Sequence, residues 1–187
     1  MLSRPLFLIS VVVISGCNFF KSSSEEKTLA EVKKTESSLY GEDKNFKFDE
    51  NAARDVIRSY EDFVKQYPES KNSPEMLLKS ADLYRAMKDY QIALGVYQRI
   101  EKEYSNYEKL PQVVFLEGFV YENELFKLEK AKERYEYFLS KYPDHELADD
   151  VKFSLQNLGK SPEEIIKEFE QKASETPDSV LPDSVSS

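Results

Sequence analysis

The 187-residue chain has one cysteine, one histidine, five glycines and no tryptophan, and each scarcity removes a class of chemistry. A single thiol cannot close an intrachain disulfide. With no second histidine or cysteine, the nitrogen and sulfur ligand set of a zinc site cannot be completed. Glycines this few, each alone in the sequence, leave no glycine-rich loop to cradle a phosphate. Positive charge is also short, with 26 Lys and Arg against 35 Asp and Glu and a net charge of -9. Such a surface makes nucleic acid a poor partner. No apolar run approaches the roughly 20 residues that a permanent membrane span requires.

What is present is a polar, aromatic body: 33% of residues are charged and 13% are Tyr or Phe. The apolar segment that does exist, Leu6 to Ile14, follows Arg4 and precedes the small residues Ser15 and Gly16, the layout of a secretory signal. Cys17 comes next. The run Ile14-Ser15-Gly16-Cys17 resembles the lipobox of bacterial lipoproteins, which implies cleavage after Gly16 and a diacylglyceryl group on the Cys17 sulfur. Removing residues 1–16 takes away Arg4 and brings the net charge to -10, with 25 basic against 35 acidic residues. Each buried methylene of an acyl chain stabilises membrane attachment by about 0.8 kcal/mol, so several chains hold the protein stably.

Residues 17–46 run through Lys21-Ser22-Ser23-Ser24-Glu25-Glu26-Lys27 with little apolar periodicity and read as a lipidated, flexible tether, within which only Leu29-Ala30-Glu31-Val32-Lys33 has the makings of a helical turn or two. Its roughly 28 residues of coil would have an end-to-end distance of about 30 Å. Residues 174–187, small, polar and broken by Pro177 and Pro182, read as a disordered tail. Between them, residues 47–173 form one helical block that repeats itself. Val56-Tyr60-Phe63, Ala93-Tyr97-Ile100 and Ala131-Tyr135-Phe138 superimpose as a small or branched residue, a tyrosine and a large apolar residue at spacings of four and three. The tyrosines Tyr60, Tyr97 and Tyr135 recur 37 and 38 residues apart, a period that marks helical hairpin repeats. Leu77, Ala81, Tyr84, Tyr90, Ala93, Tyr97 and Ile100 resemble the tetratricopeptide consensus. Gly118, Tyr121, Ala131, Tyr135, Phe138 and Pro143 continue it, with one extra residue expected in the turn around Leu125-Phe126-Lys127-Leu128. Ser73-Pro74 and Ser161-Pro162 place cap residues before first-turn prolines, Ser161 to Glu164 reads as a capping box, and Asp144 is expected to cap a helix starting near His145. The apolar stripe Ile165-Ile166-Phe169 is expected to close the end of the stack. The fold class is therefore all-α, a tetratricopeptide-like helical hairpin solenoid behind a cleaved lipoprotein signal.

No catalytic set emerges. His145 has only adjacent carboxylates, which do not share a helix face, and reads as part of a helix N-terminal turn. Asp149-Asp150 and Glu122-Asn123-Glu124 lack calcium-loop spacing. No metal or cofactor is expected, and no enzymatic activity. The tetratricopeptide resemblance implies instead a partner-binding groove on the first helices of the hairpins, lined by Glu75, Leu78, Asp82 and Arg85 and by Gln112, Phe115, Phe119 and Glu122. Phe115 and Phe119 suit an apolar segment of a partner, or else are core residues covered by a neighbouring helix. Lipobox and repeats together resemble envelope lipoproteins of Gram-negative bacteria, namely the BamD family of outer-membrane protein assembly and the YbgF/CpoB family of the Tol-Pal system. That resemblance implies a non-enzymatic scaffold on the periplasmic face of the outer membrane. The alternatives are a Tol-Pal or cell-division adaptor, or a solute-binding or enzymatic lipoprotein. Asn18, where an aspartate would retain a lipoprotein in the inner membrane, favours the outer membrane. Metabolic labelling with a palmitate analogue is expected to tag the wild-type chain; labelling that survives Cys17→Ser would overturn the lipid assignment.

Overall fold

The computed structural model describes residues 16–37, 39 and 48–175. Their order is α1 (Gly16–Ser37), α2 (Glu50–Gln66), α3 (Ser73–Ala86), α4 (Tyr90–Glu103), α5 (Leu110–Phe119), a π-helical turn (Val120–Glu124), α6 (Leu128–Lys141), α7 (Ala148–Gln156) and α8 (Pro162–Glu175). No strand occurs among the described residues. The signal segment 1–15 and the tail from 176 onward lie outside them. The block read as one domain over 47–173 divides between two compact units, Met1–Met87 and Lys88–Ser187.

In the first unit, Asp49 starts α2 by accepting the backbone N–H groups of Asn51 and Ala52 at 2.8 and 3.2 Å, two of the orphan donors of a helix start. Ala53, Val56, Ile57, Tyr60, Phe63 and Val64 then bury one stripe. Their spacing of three and four follows the helical period, so burial and local geometry agree.

The segment expected to be a flexible tether is instead helical over Gly16–Ser37, and it packs on α2. Ser24 Oγ and Thr28 Oγ1 lie 3.0 and 3.2 Å from the Tyr67 hydroxyl. Ser70 donates to Glu25, Lys79 Nζ meets Glu36 Oε1 at 2.6 Å, and Val32 is buried. The coil reading failed because these contacts are almost all polar and leave no apolar period to detect.

The repeat is written most plainly in the backbone. Tyr67, Tyr104 and Tyr142 end α2, α4 and α6 with φ of -130°, -130° and -132° and ψ of 59°, 53° and 52°. Each returns its N–H to the carbonyl four residues back, at Phe63, Ile100 and Phe138. Ser70, Tyr107 and His145 then bond to those tyrosine carbonyls at 3.0, 2.9 and 3.2 Å, and Ser73, Leu110 and Ala148 bond three residues further back in turn. His145 is thus a connector residue. Its Nδ1 accepts the Leu147 N–H at 3.1 Å, so α7 begins at Ala148 with His145 supplying the side-chain bond expected of Asp144. Ser73 likewise does not cap α3; buried inside its first turn, it donates Oγ to the Tyr67 carbonyl at 2.5 Å. The Ser161 and Glu164 capping box does form, with bonds of 2.7 and 3.3 Å.

The extra residue of the second hairpin lies before the expected turn, within the helix. Leu77, Ala81 and Tyr84 precede Val114, Gly118 and Tyr121 by one offset, and Lys88 precedes Phe126 by one residue more. Lys88 and Phe126 are matching turn residues with φ of 64° and 53°. The insertion falls between Tyr121 and Phe126 and is absorbed as the π turn, where Leu125 N–H reaches the Val120 carbonyl at 3.0 Å, the way a helix takes in one residue without breaking.

In the second unit, Val114, Ala131, Tyr135, Phe138, Ala148 and Val151 form a buried cluster. Gly118 lets α5 approach α6, since a Cβ there would collide with ring carbons of Tyr135. The stripe on α8 closes less than expected. Phe169 stacks on Phe153 at 6.3 Å, yet Ile166 and Phe169 each stay 57% exposed.

Two glycine substitutions should therefore move stability in opposite directions. Gly118→Ala is expected to destabilise by about 1–3 kcal/mol through overpacking on Tyr135. Gly95, in α4, has no neighbour within 4 Å of the place a Cβ would take, so Gly95→Ala should stabilise by about 0.5–1 kcal/mol. Urea denaturation midpoints of both variants check the pair.

Candidate functional site

Of the groove positions on α3, Leu78 is buried at 4% exposure, which makes it a core residue and removes it from a binding face. Glu75 and Arg85 are half-buried and Asp82 is exposed; Arg85 Nη1 lies 3.7 Å from Asp82 Oδ1. In the second unit, Gln112 is exposed and Phe115 half-buried, and together they line a cavity of about 410 Å³ with Glu108, Lys109, His145 and Leu147 among its walls. Phe115 also stacks on Tyr135 at 6.1 Å and meets Phe119 at 6.4 Å. Phe115 therefore packs on the core cluster and also lines the cavity. Phe119 is half-buried as well.

Glu122 has a structural task. It accepts the Tyr135 hydroxyl at 2.7 Å, and burial, then this bond, pushes the Tyr135 hydroxyl far up from its ordinary value. Tyr135 therefore stays protonated and donating. Asp149 pairs with Lys152 at 2.9 Å, and that bond lowers its pKa. Among the described residues no group of acidic, histidine or cysteine side chains is arranged to hold a metal. Cys17 falls in the first turn of α1, with its side chain outside the described residues.

A buried charge network was missed by sequence reasoning. Glu117, on α5, is 1% exposed. Arg134 of α6 places Nε 2.5 Å from Glu117 Oε2 and Nη2 2.8 Å from Glu101 Oε1 of α4, with its guanidinium 4.7 Å from the centre of the Tyr137 ring. Glu117 Oε1 has no hydrogen-bond partner among the described residues. The signal available was a lone carboxylate inside the apolar run Val113 to Tyr121; nothing in the spacing pointed to Arg134 or Glu101. Burial pushes the Glu117 carboxyl up from 4.5 to about 8, with Arg134 opposing and the Glu101 charge adding to the rise.

Residues 75–107 and 112–145 match the tetratricopeptide repeat family model, and the two matches fall on α3–α4 and α5–α6. The chain thus carries two tetratricopeptide repeats, modules whose stacked helices present protein-binding surfaces. No curated protein matches the chain as a relative.

The folded state keeps the Glu117 proton up to about pH 8, whereas the unfolded chain releases it near 4.5. Between those limits the folded state binds the extra proton, so this contribution to stability is full below the lower value and is lost as pH rises to the upper one. Glu117→Gln is expected to flatten the fall. Denaturation midpoints of wild type and variant across that range measure it; equal slopes would refute the assignment.

Proposed function

We propose that this tetratricopeptide-repeat chain is a non-enzymatic adaptor, held by lipid on Cys17 at the periplasmic face of the outer membrane, that binds protein partners in outer-membrane protein assembly or related envelope biogenesis. The protein-binding part rests on the two matched repeats and, above all, on the α5 face, where the half-buried Phe115 borders a cavity. An aromatic or aliphatic side chain of a partner gains burial there by displacing water from Phe115 and Leu116, while Gln112 and the charges at the rim orient it. The membrane part rests on the lipobox resemblance at Ile14 to Cys17, and the envelope role on that lipobox combined with the repeats.

An enzymatic or solute-binding role has less to draw on. Among the described residues, the strongly perturbed carboxyl, Glu117, is sealed among α4, α5 and α6 and does not line the cavity.

A photoreactive residue at Gln112 tests the proposal in living cells. It is expected to yield a cross-link to an envelope protein that the same residue at Lys102, exposed on α4, does not. Equal adducts from both positions, or none from Gln112, would refute a binding face on α5.

A further inference from the structure

We propose that α1 is a docked stem and that the lipid surface lies against the Tyr67–Ser73 end of the first unit, in place of a domain hung on a flexible leash. The inference rests on the lipid-anchor reading of Cys17 and adds to it the distance and orientation at which the anchor holds the protein.

Four observations carry it. First, α1 is one continuous helix from Gly16 to Ser37, and its sequence from Cys17 to Ser37 has neither proline nor glycine to break it. Second, α1 is fastened near both ends of its docked stretch. Ser24 and Thr28 meet the Tyr67 hydroxyl and Glu25 takes a bond from Ser70 at one end, and Glu36 pairs with Lys79 at the other. A single attachment would leave a helix free to swing, but two separated ones fix its direction. Third, Val32 is 3% exposed, so the stretch between the polar clamps also seats an apolar side chain.

Fourth, the helix that receives α1 itself belongs to the repeating pattern. Val56, Tyr60, Phe63 and Tyr67 of α2 occupy the places of Ala93, Tyr97, Ile100 and Tyr104 of α4, the second helix of a matched repeat. In each matched repeat that second helix is preceded by a first one. Here α1 precedes α2 and packs on it, completing a hairpin outside the matched residues.

The consequence is geometric. Cys17 lies seven residues before Ser24, about 10 Å of helix at 1.5 Å per residue. A coil of the expected tether length would instead have allowed about 30 Å of root-mean-square separation, with a wide spread around it. Through the stem, Pro68, Glu69 and Lys71, all exposed in the connector beside Tyr67, are brought next to the phospholipid headgroups.

The test uses the full mature chain in phospholipid vesicles with an acceptor dye on the headgroups. After acylation of Cys17 the protein has no other thiol, so a donor on Glu69→Cys labels one site. Energy transfer is expected to be high and to report one narrow distance, and inserting ten Gly and Ser residues between Ser22 and Ser23 should lower and broaden it. Hydrogen exchange supplies a readout independent of the lipid: amides from Ser24 to Glu36 should exchange at least about tenfold more slowly than in an isolated helix, with Ser24→Ala/Thr28→Ala removing much of that protection. Equal transfer in the wild-type and inserted chains, or unprotected α1 amides, would overturn the stem while palmitate labelling persists. Loss of the palmitate label itself would overturn the anchor reading, and the stem with it.

Discussion

A fully buried tyrosine is the constraint on which each unit depends. Tyr60, Tyr97 and Tyr135 are at most 2% exposed, and the residues four before and three after each one, Val56 and Phe63, Ala93 and Ile100, Ala131 and Phe138, are wholly buried. Burying so large a ring stabilises only if its neighbours leave room and its hydroxyl finds a partner. Around Tyr135 both conditions are visible: Gly118 omits the side chain that would collide with the ring, and Glu122 accepts the hydroxyl. The π turn serves the same end. By taking in one residue at Val120–Glu124, it carries Glu122 round to the hydroxyl without disturbing the helix that holds Gly118.

This dependence explains which parts of the fold were legible in the sequence. The buried triads recur at helical spacing, so their helices could be read directly. The common ends at Tyr67, Tyr104 and Tyr142 were not read as one set, because their likeness lies in shared backbone angles. The inserted residue was counted correctly but placed in the turn, because a count between landmarks does not distinguish a longer loop from a π turn. Leu78 was assigned to an open face by analogy with a generic repeat, and in this chain it is core. Helix α1 escaped except at Leu29 to Lys33, where the sequence allowed a turn or two of helix. A helix that docks through Ser24, Thr28, Glu25 and Glu36 has the composition of a solvated tether, and only its partners on α2 and α3 separate the two.

The Glu117–Arg134–Glu101 network shows the opposite case, a charge where periodicity calls for an apolar residue. Taking a carboxylate and a guanidinium out of water costs several kcal/mol for each ion, and their mutual attraction offsets this only with good geometry and satisfied hydrogen bonds. Among the described residues one Glu117 oxygen is left without a donor, so the pair is an incomplete solution. Its rise toward the neutral form is the expected response of an acid whose charge is poorly compensated. Arg134 meets the carboxyl groups of both Glu101 on α4 and Glu117 on α5, which ties three helices of the second unit at one point and makes the network a means of setting their register.

Packing demands also narrow what α5 has left for a partner. Val113, Val114, Glu117 and Gly118 face inward, Glu122 is committed to Tyr135, and Phe115 packs in part on the core cluster. Recognition is therefore left to Gln112, the part of Phe115 that lines the cavity, and the cavity rim contributed by Glu108, Lys109, His145 and Glu146. That rim comes from the connectors as much as from the helix, so the repeated turns that join one hairpin to the next also shape the binding surface. His145 shows why a single residue resisted a functional label. With its ring 5.8 Å from Phe138 and its Nδ1 closing the turn into α7, it is held by the scaffold on one side and open to the cavity on the other. A substitution there changes the fold and the surface together, and only variants at the rim that leave the connector bonds intact can separate the two.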